Sequence, residues 1–272
     1  MWPELHLFLS RLALQPAVLV RVERTQGSAP RRAGAWMAVF ADGAVGTIGG
    51  GHLEWEAQRQ AGECLSRRPQ ASGGAWRQRT VLGPQLGQCC GGALELQYEP
   101  VTAADVDRLR AELAPRLVPV ALFGCGHVGH AIVRALAPLP FDVHWIDSRD
   151  NVFAGDTPAH VHAEHSEPVQ AAVRDLAPGA HVLIMSFSHA EDLDIVAACL
   201  QRRRDRGDLT FLGLIGSRTK WATFRRRLVQ RGFTDDELDA VTCPIGLPGI
   251  TGKEPAVIAA SVVAQLLIAT GQ

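Results

Sequence analysis

The sequence predicts an α/β chain in two parts. An N-terminal α+β domain spans residues 1–100, a connecting helix spans 101–117, and a doubly wound parallel sheet spans 118–272. Three observations predict this. A chain of 272 residues with 47% apolar residues is long enough for two domains, each with its own core. The first hundred residues carry strand-like runs separated by glycine-rich loops. After residue 117 the style changes: short, wholly apolar runs alternate with helical stretches, as in a parallel sheet buried on both faces.

The elements follow in order. Residues 1–14 read as a short helix, and "AVLVRVER" (17–24) as a strand. The loop "TQGSAPRRAG" (25–34) leads to a second strand, "AWMAVF" (35–40). Asp42-Gly43 is a hairpin turn, and "AVGTIGGG" (44–51) is a third strand running into Gly49, Gly50 and Gly51. From His52 a helix buries Leu53, Ala57, Ala61 and Cys64 or Leu65 at helical spacing. "RQRTVLG" (77–83) and the alternating "ALELQYEP" (93–100) are strands on either side of a cysteine loop. In the second half, "VPVALFG", "DVHWID", "HVLIMSF" and "FLGLIG" are strands, each followed by a helical or loop stretch. The last helix is expected to open at "TGKE" (251–254), where Thr251 and Glu254 have capping-box spacing.

Charge excludes one class of partner. Charged residues make up 20% and the net charge is −1, whereas nucleic-acid binding needs clustered positive charge. The arginine triplets at 202–204 and 225–227 read as solvated helix faces. The opening "MWPELHLFLSRLAL" lacks a basic leader and a cleavage site, so no secretion signal is expected. The apolar run 256–270 is shorter than the ~20 residues of a membrane helix and reads as a buried helix. Six unevenly spaced cysteines make no disulfide framework. The expectation is a cytoplasmic protein with reduced thiols and no membrane partner.

"FGCGHVG" places Gly124, Gly126 and Gly129 as GxGxxG between a strand and a helix, and Asp147 ends the next strand about 20 residues on. This is the dinucleotide-binding fingerprint, and it makes the second half Rossmann-like. Its glycines allow a tight turn and leave helix N–H groups for a phosphate. NAD(P) or another nucleotide is therefore a candidate ligand of the cleft, weaker than the fold signal because the fingerprint specifies fold before function. Arg149 either holds a 2′-phosphate or lies in solvent.

"IGSRTK" (215–220) sets Ser217, Arg218 and Lys220 at the positive end of a helix, an anion site or a capped helix with solvated basic residues. "SFSHAEDLD" (186–194) puts His189 and Asp194 at the sheet edge where α/β proteins bind ligands, although such a histidine also serves as a surface residue. His160, His162 and His165 have ligand-like spacing, but only Glu164 or Glu167 could complete the set, and no metal is expected there.

"GPQLGQCCGG" (83–92) joins two adjacent cysteines to four glycines and a proline. Neighbouring cysteines make a strained ring and poor tetrahedral corners. They read either as small buried residues or as a thiolate offered to a ligand, its pKa lowered by loop N–H groups and suited to a soft centre. Cys125 and Cys199 read as packing residues, and Cys243 as a loop residue before Pro244.

With these motifs in this order, the chain resembles the XdhC/CoxI family of molybdenum hydroxylase accessory proteins, nearly end to end. "GSAPRRAGAWMAV", "GTIGGGHLEWEA" with its Leu53-Glu54, "LGQCCGG", "FGCGHVG", "IGSRTK" and "PIGLPGITGKEPAVIAASVVAQLL" carry the likeness. It departs at "SFSHAED" and in the order Lys253-Glu254-Pro255. The resemblance implies a carrier and chaperone, without turnover catalysis or catalytic residues. Such a carrier binds molybdenum cofactor (molybdopterin), holds it while a cysteine desulfurase installs a terminal sulfido ligand, and delivers it to apo xanthine dehydrogenase. The residues it implies are Cys89 and Cys90 at the metal end, Gln88 and Gly91 beside them, Gly49, Gly50, Gly51 and Glu54, and Arg31 with Arg32 for phosphate. A homodimer with a partly open site is expected. Two other classes stay open: an NAD(P)-dependent oxidoreductase, and a sulfur-transfer protein carrying persulfide on Cys89 or Cys90.

Overall fold

A computed structural model describes residues 3–67, 74–82, 91–153 and 161–271. The chain divides into two compact units, Met1–Pro115 and Arg116–Gln272.

The first unit is a five-stranded antiparallel sheet. Its strands are β1 (Ala17–Gln26), β2 (Trp36–Phe40), β3 (Gly43–Gly46), β4 (Trp76–Val81) and β5 (Ala93–Val101), in the order β3-β2-β1-β5-β4. β1 is central and buries both faces. Val18, Val20 and Val22 meet Leu53, Ala57 and Ala61 of α2 (Gly51–Arg67), while Ala17 and Leu19 meet Phe8 and Leu12 of α1 (Pro3–Leu12). That split is the two-residue period of a strand. β4 sits at the edge and alternates half-buried with exposed positions. The glycine run 49–51 is not strand: β3 ends at Gly46, and Gly49, Gly50 and Gly51 all take positive φ in the turn into α2.

The stretch 101–117, read from the sequence as a connection, belongs largely to this unit. Its helix α3 (Val106–Leu113) buries Leu109 with the α1 residues, and the unit boundary falls after Pro115. An apolar stripe that finds a core packs there instead of bridging through solvent.

The second unit is a six-stranded parallel sheet in the order β11-β10-β9-β6-β7-β8. These are β6 (Val118–Phe123), β7 (Phe141–Asp147), β8 (Val161–His165), β9 (His181–Ile184), β10 (Phe211–Leu214) and β11 (Val241–Thr242). The chain runs outward from β6 through β7 and β8, then returns to β9 on the other side of β6. That reversal is a topological switch point. α4 (His127–Leu136) and α8 (Pro255–Thr270) pack one face. α5 (His189–Arg206), α6 (Arg218–Gln230) and α7 (Asp235–Asp239) pack the other. β6 shows why: Val120 and Leu122 enter the α4 cluster, and Ala121 and Phe123 the α5 cluster.

Three local expectations change. The last helix opens at Pro255, not Thr251; Glu254 is its N-cap with extended backbone (φ −61°, ψ 136°). Proline disfavours helical geometry in the residue before it and is itself at home at N1. α8 buries one face only: Ala259, Val262 and Leu266 are covered, whereas Ala256, Ala260 and Ile268 are exposed. Arg202 is no solvated helix-face residue. It is 6% exposed and donates to Asp208 Oδ1 and Oδ2, Val173 O and Leu176 O. No helix among the described residues is long and apolar enough to cross a membrane.

Candidate functional site

In the first unit the structure brings three motifs together around the loop at 26–35. The loop bulges between β1 and β2 and is pinned by Val22, whose N–H donates to Ala35 O and whose carbonyl accepts from Gly34 N. Gly49 lies on one side of it: a Cβ there would come 2.7 Å from Pro30 Cβ and 3.5 Å from Arg31 Cγ. Gly92, the last glycine of the cysteine loop, lies on the other side. A Cβ on Gly92 would come 2.3 Å from Ser28 O and 2.5 Å from Gln26 O. Leu82 N donates to Gly92 O at 2.8 Å, closing the base of the cysteine loop. Cys89, Cys90 and Gln88 lie outside the described residues, so their thiols and amide are not placed. Gly91 is exposed, and no atom of the described residues lies within 4 Å of where its Cβ would be.

Glu54 organises the glycine run. Its Oε2 accepts from Ile48 N at 3.1 Å, Gly50 N at 3.0 Å and the Thr47 hydroxyl, and Thr47 Oγ1 in turn accepts from Gly49 N. The N–H groups of residues 48–50 are thus already satisfied. The run contributes shape and close approach more than free donors, which the sequence alone did not suggest. Beside it lies a cavity of about 650 Å³, with Arg31, Arg32, Trp36 and Thr47 in its wall. Neither arginine makes an ion pair among the described residues. A phosphate-bearing ligand fits this donor set: two free guanidinium groups on a pinned loop suit an anion with several oxygens.

The second unit has the fingerprint geometry with a different use. A Cβ on Gly124 (φ +119°) would sit 2.0 Å from Met185 O, and one on Gly129 would sit 2.2 Å from Gly124 O. Those glycines allow the turn, the neighbouring strand and α4 to touch. Gly126 N-caps α4, and a Cβ on it would meet nothing within 4 Å among the described residues. Asp147, expected to meet a ribose, is 2% exposed and already satisfied. Its Oδ2 accepts from Cys125 N at 2.6 Å and Arg149 Nη2 at 2.9 Å, and its Oδ1 from Arg149 N and Nε. Burial pushes the Asp147 carboxyl up, but the Arg149 guanidinium and the two N–H groups outweigh it and hold the pKa below the ordinary value. Arg149 therefore neither waits for a 2′-phosphate nor lies free in solvent. Its guanidinium also lies 4.7 Å from the Phe187 ring centroid, and Ser148 Oγ donates to Glu191 at 2.8 Å. Both contacts bridge from the end of β7 to the segment after β9, across the fingerprint turn.

Lys220, expected beside an anion, instead pairs with Asp192. Its Nζ lies 2.6 Å from Asp192 Oδ2 and donates to Ile215 O at 2.9 Å, with the two side chains 11% and 3% exposed. Asp192 Oδ1 also accepts from Ser186 N and Ser186 Oγ. Ser217 caps α6 by accepting from Lys220 N, and Arg218 is exposed. His189 is exposed at the start of α5, its ring 6.5 Å from Phe224, and Asp194 pairs with Arg231 on the surface. Asp192 is the acid that sequence reasoning missed; its one signal was a position on the same face of α5 as buried Ile195 and Val196.

His162 and His165 pair with Asp142 and Asp150, and no group of three metal-capable side chains occurs among the described residues. His160 lies outside them. Burial pushes the thiols of Cys125 and Cys243 up to about 11 and that of Cys199 up to about 12.

Comparisons with known proteins follow the same division. The family profile of the XdhC Rossmann domain matches residues 120–266, and that of the XdhC and CoxI family matches residues 11–72. The uncharacterized protein YqeB of Escherichia coli K12 is 31% identical over 257 residues, covering 93% of this chain and 43% of its own length. The chain thus spans less than half of that curated relative. A solved structure described as a xanthine dehydrogenase from Bacillus halodurans superposes with a TM-score of 0.75 at 21% identity, covering 98% of this chain and 96% of that one. It shares the fold. The Bordetella bronchiseptica enzyme WbmG, solved with NAD, covers 56% of this chain and 49% of its own at a TM-score of 0.29 and 14% identity, too distant to carry an argument.

Proposed function

We propose, from the premise that this chain belongs to the XdhC and CoxI family, that it is an accessory protein of xanthine dehydrogenase maturation. In this reading its cargo is the molybdenum cofactor. The chain holds the cofactor while a cysteine desulfurase installs the terminal sulfido ligand, then passes it to apo xanthine dehydrogenase. Cys89 or Cys90 offers a thiolate to the metal end, and a homodimer shields the cargo.

The observation that carries the reading is the convergence in the first unit. The glycine run at Gly49 and the base of the cysteine loop at Gly92 both close on the arginine-bearing loop, within van der Waals reach of its backbone or side chains. A carrier must shield a labile ligand and still release it, and a site built from pinned loops beside an open cavity suits both needs. The nicotinamide alternative has less support. Asp147 is already bonded by Arg149 and Cys125, and two contacts bridge the fingerprint turn.

The test is to purify the protein from cells making the cofactor and assay it for molybdopterin as its fluorescent oxidised derivative. The same preparation is offered to apo xanthine dehydrogenase. Retention of cofactor and recovery of dehydrogenase activity are expected. Loss of both with Cys89→Ala or Cys90→Ala, at unchanged melting temperature, supports the thiolate role. A protein that neither retains the cofactor nor stimulates reconstitution refutes the reading. A native mass increase of one sulfur on peptide 83–92 after desulfurase treatment, without cofactor, favours persulfide transfer instead.

A further inference from the structure

The first-unit cavity has a chemistry more specific than an anion site. We infer that it takes the pterin and phosphate end of the cargo; this rests on the carrier reading above. Its wall is two-signed. Arg31 and Arg32 come from the pinned loop, while Glu4 comes from the first turn of α1 and Glu112 and Leu113 from the end of α3. Glu112 is engaged by Arg21 and Arg108. Glu4 is exposed and has no hydrogen-bond or ion-pair partner among the described residues.

A simple anion gains nothing from Glu4 and is repelled by it. A ligand with hydrogen-bond donors at one end and a dianion at the other gains from both walls. A pterin phosphate is such a ligand: its 2-amino and ring N–H groups match a carboxylate, and its phosphate matches guanidinium forks. Trp36 supplies the third requirement. Trp36 is half-buried and lines the cavity, its ring 5.3 Å from Phe8 between ring centroids and held against Gly46. A planar heterocycle stacks on such a surface. The cavity volume of about 650 Å³ lies within the range of small-molecule sites. Gly49, which touches Pro30 and Arg31, links this cavity to the loops that meet at Gly92.

The experiment titrates the full chain with neopterin monophosphate, a metal-free probe, following pterin fluorescence. Unphosphorylated neopterin and inorganic phosphate are parallel arms. The wild type is expected to bind the monophosphate more tightly than either part. Arg31→Ala with Arg32→Ala should weaken the monophosphate about tenfold or more and neopterin little. Glu4→Gln should weaken neopterin and the monophosphate alike, and not inorganic phosphate. Melting temperature checks that each variant folds. Wild-type affinity in all these variants, or a wild type that binds inorganic phosphate as tightly as the pterin phosphate, overturns the assignment. The same variants are assayed for retained molybdopterin. Full retention alongside unchanged probe binding moves the cargo elsewhere on the chain and leaves the carrier reading standing. A wild type that retains no molybdopterin removes the carrier reading and this assignment with it.

Discussion

Replacing Asp192 by alanine tests the account of the second unit most directly. Asp192 is 3% exposed and receives three hydrogen bonds: Lys220 Nζ at 2.6 Å, Ser186 N at 2.9 Å and Ser186 Oγ at 2.7 Å. Removing the carboxylate strands a lysine that is 11% exposed and leaves the Ser186 N–H without its acceptor. Breaking one side of a buried ion pair costs about 3–5 kcal/mol. For a unit of this size each kcal/mol moves the melting temperature by about 2–4 °C, so a fall of about 6–20 °C is expected. Calorimetry reads it in the transition of the second unit. The double variant Asp192→Ala, Lys220→Met keeps the lysine stem that fills the space beside Gly216 and removes the stranded charge. It should melt above Asp192→Ala alone, because losing both partners of a buried pair is far cheaper than losing one. Costs that add, with the double variant falling below either single one, would refute the pair as described. So would a loss under about 1 kcal/mol for Asp192→Ala.

Three further outcomes are expected. Gly92→Ala drives a Cβ onto the carbonyls of Ser28 and Gln26, so it should destabilise the first unit by about 1–3 kcal/mol and reduce cofactor retention; Gly126→Ala meets no described atom and only weakens the N-cap of α4, so it should cost about 1 kcal/mol or less and leave bound molybdopterin unchanged. Native alkylation by iodoacetamide near neutral pH should label peptide 83–92 before Cys125, Cys199 and Cys243, whose thiol pKa values burial raises; mass spectrometry that finds any of these three labelled first contradicts this. The folded pKa of Asp147 is depressed, so its contribution is complete above its ordinary value of 3.8 and is lost as pH falls through the lower folded value. Melting of wild type and Asp147→Asn between about pH 5 and about pH 2 should therefore show a steeper acid-side loss in wild type than in the variant.

What was legible in the sequence was local or periodic. The strand-turn-helix at "FGCGHVG" was readable because its glycines are spaced for one turn. The alternation of short apolar runs with helical stretches gave the parallel sheet because both faces of those strands are covered. The helix from residue 51 was readable from Leu53, Ala57 and Ala61. Where two local signals competed, proline decided: the capping-box spacing at Thr251 lost to Pro255, which keeps Glu254 extended.

Tertiary structure decided which polar groups are engaged. Asp192 and Asp194 stand in one nine-residue string, yet two positions on a helix differ by about 200° in direction. One meets Lys220 from 28 residues away; the other meets Arg231 on the surface. Arg202 looked like its neighbours until the 3₁₀ turn at Val169–Asp175 brought backbone carbonyls to it. Asp147 matched the fingerprint in position, and only the fold showed Arg149 already upon it. In the first unit, residues 26–31, 49 and 92 meet because β1 pairs antiparallel with both β2 and β5. Spacing along the chain carries no information on that meeting. It is set by strand register, and register is fixed by burying Val18, Val20 and Val22 on one face and Ala17 and Leu19 on the other.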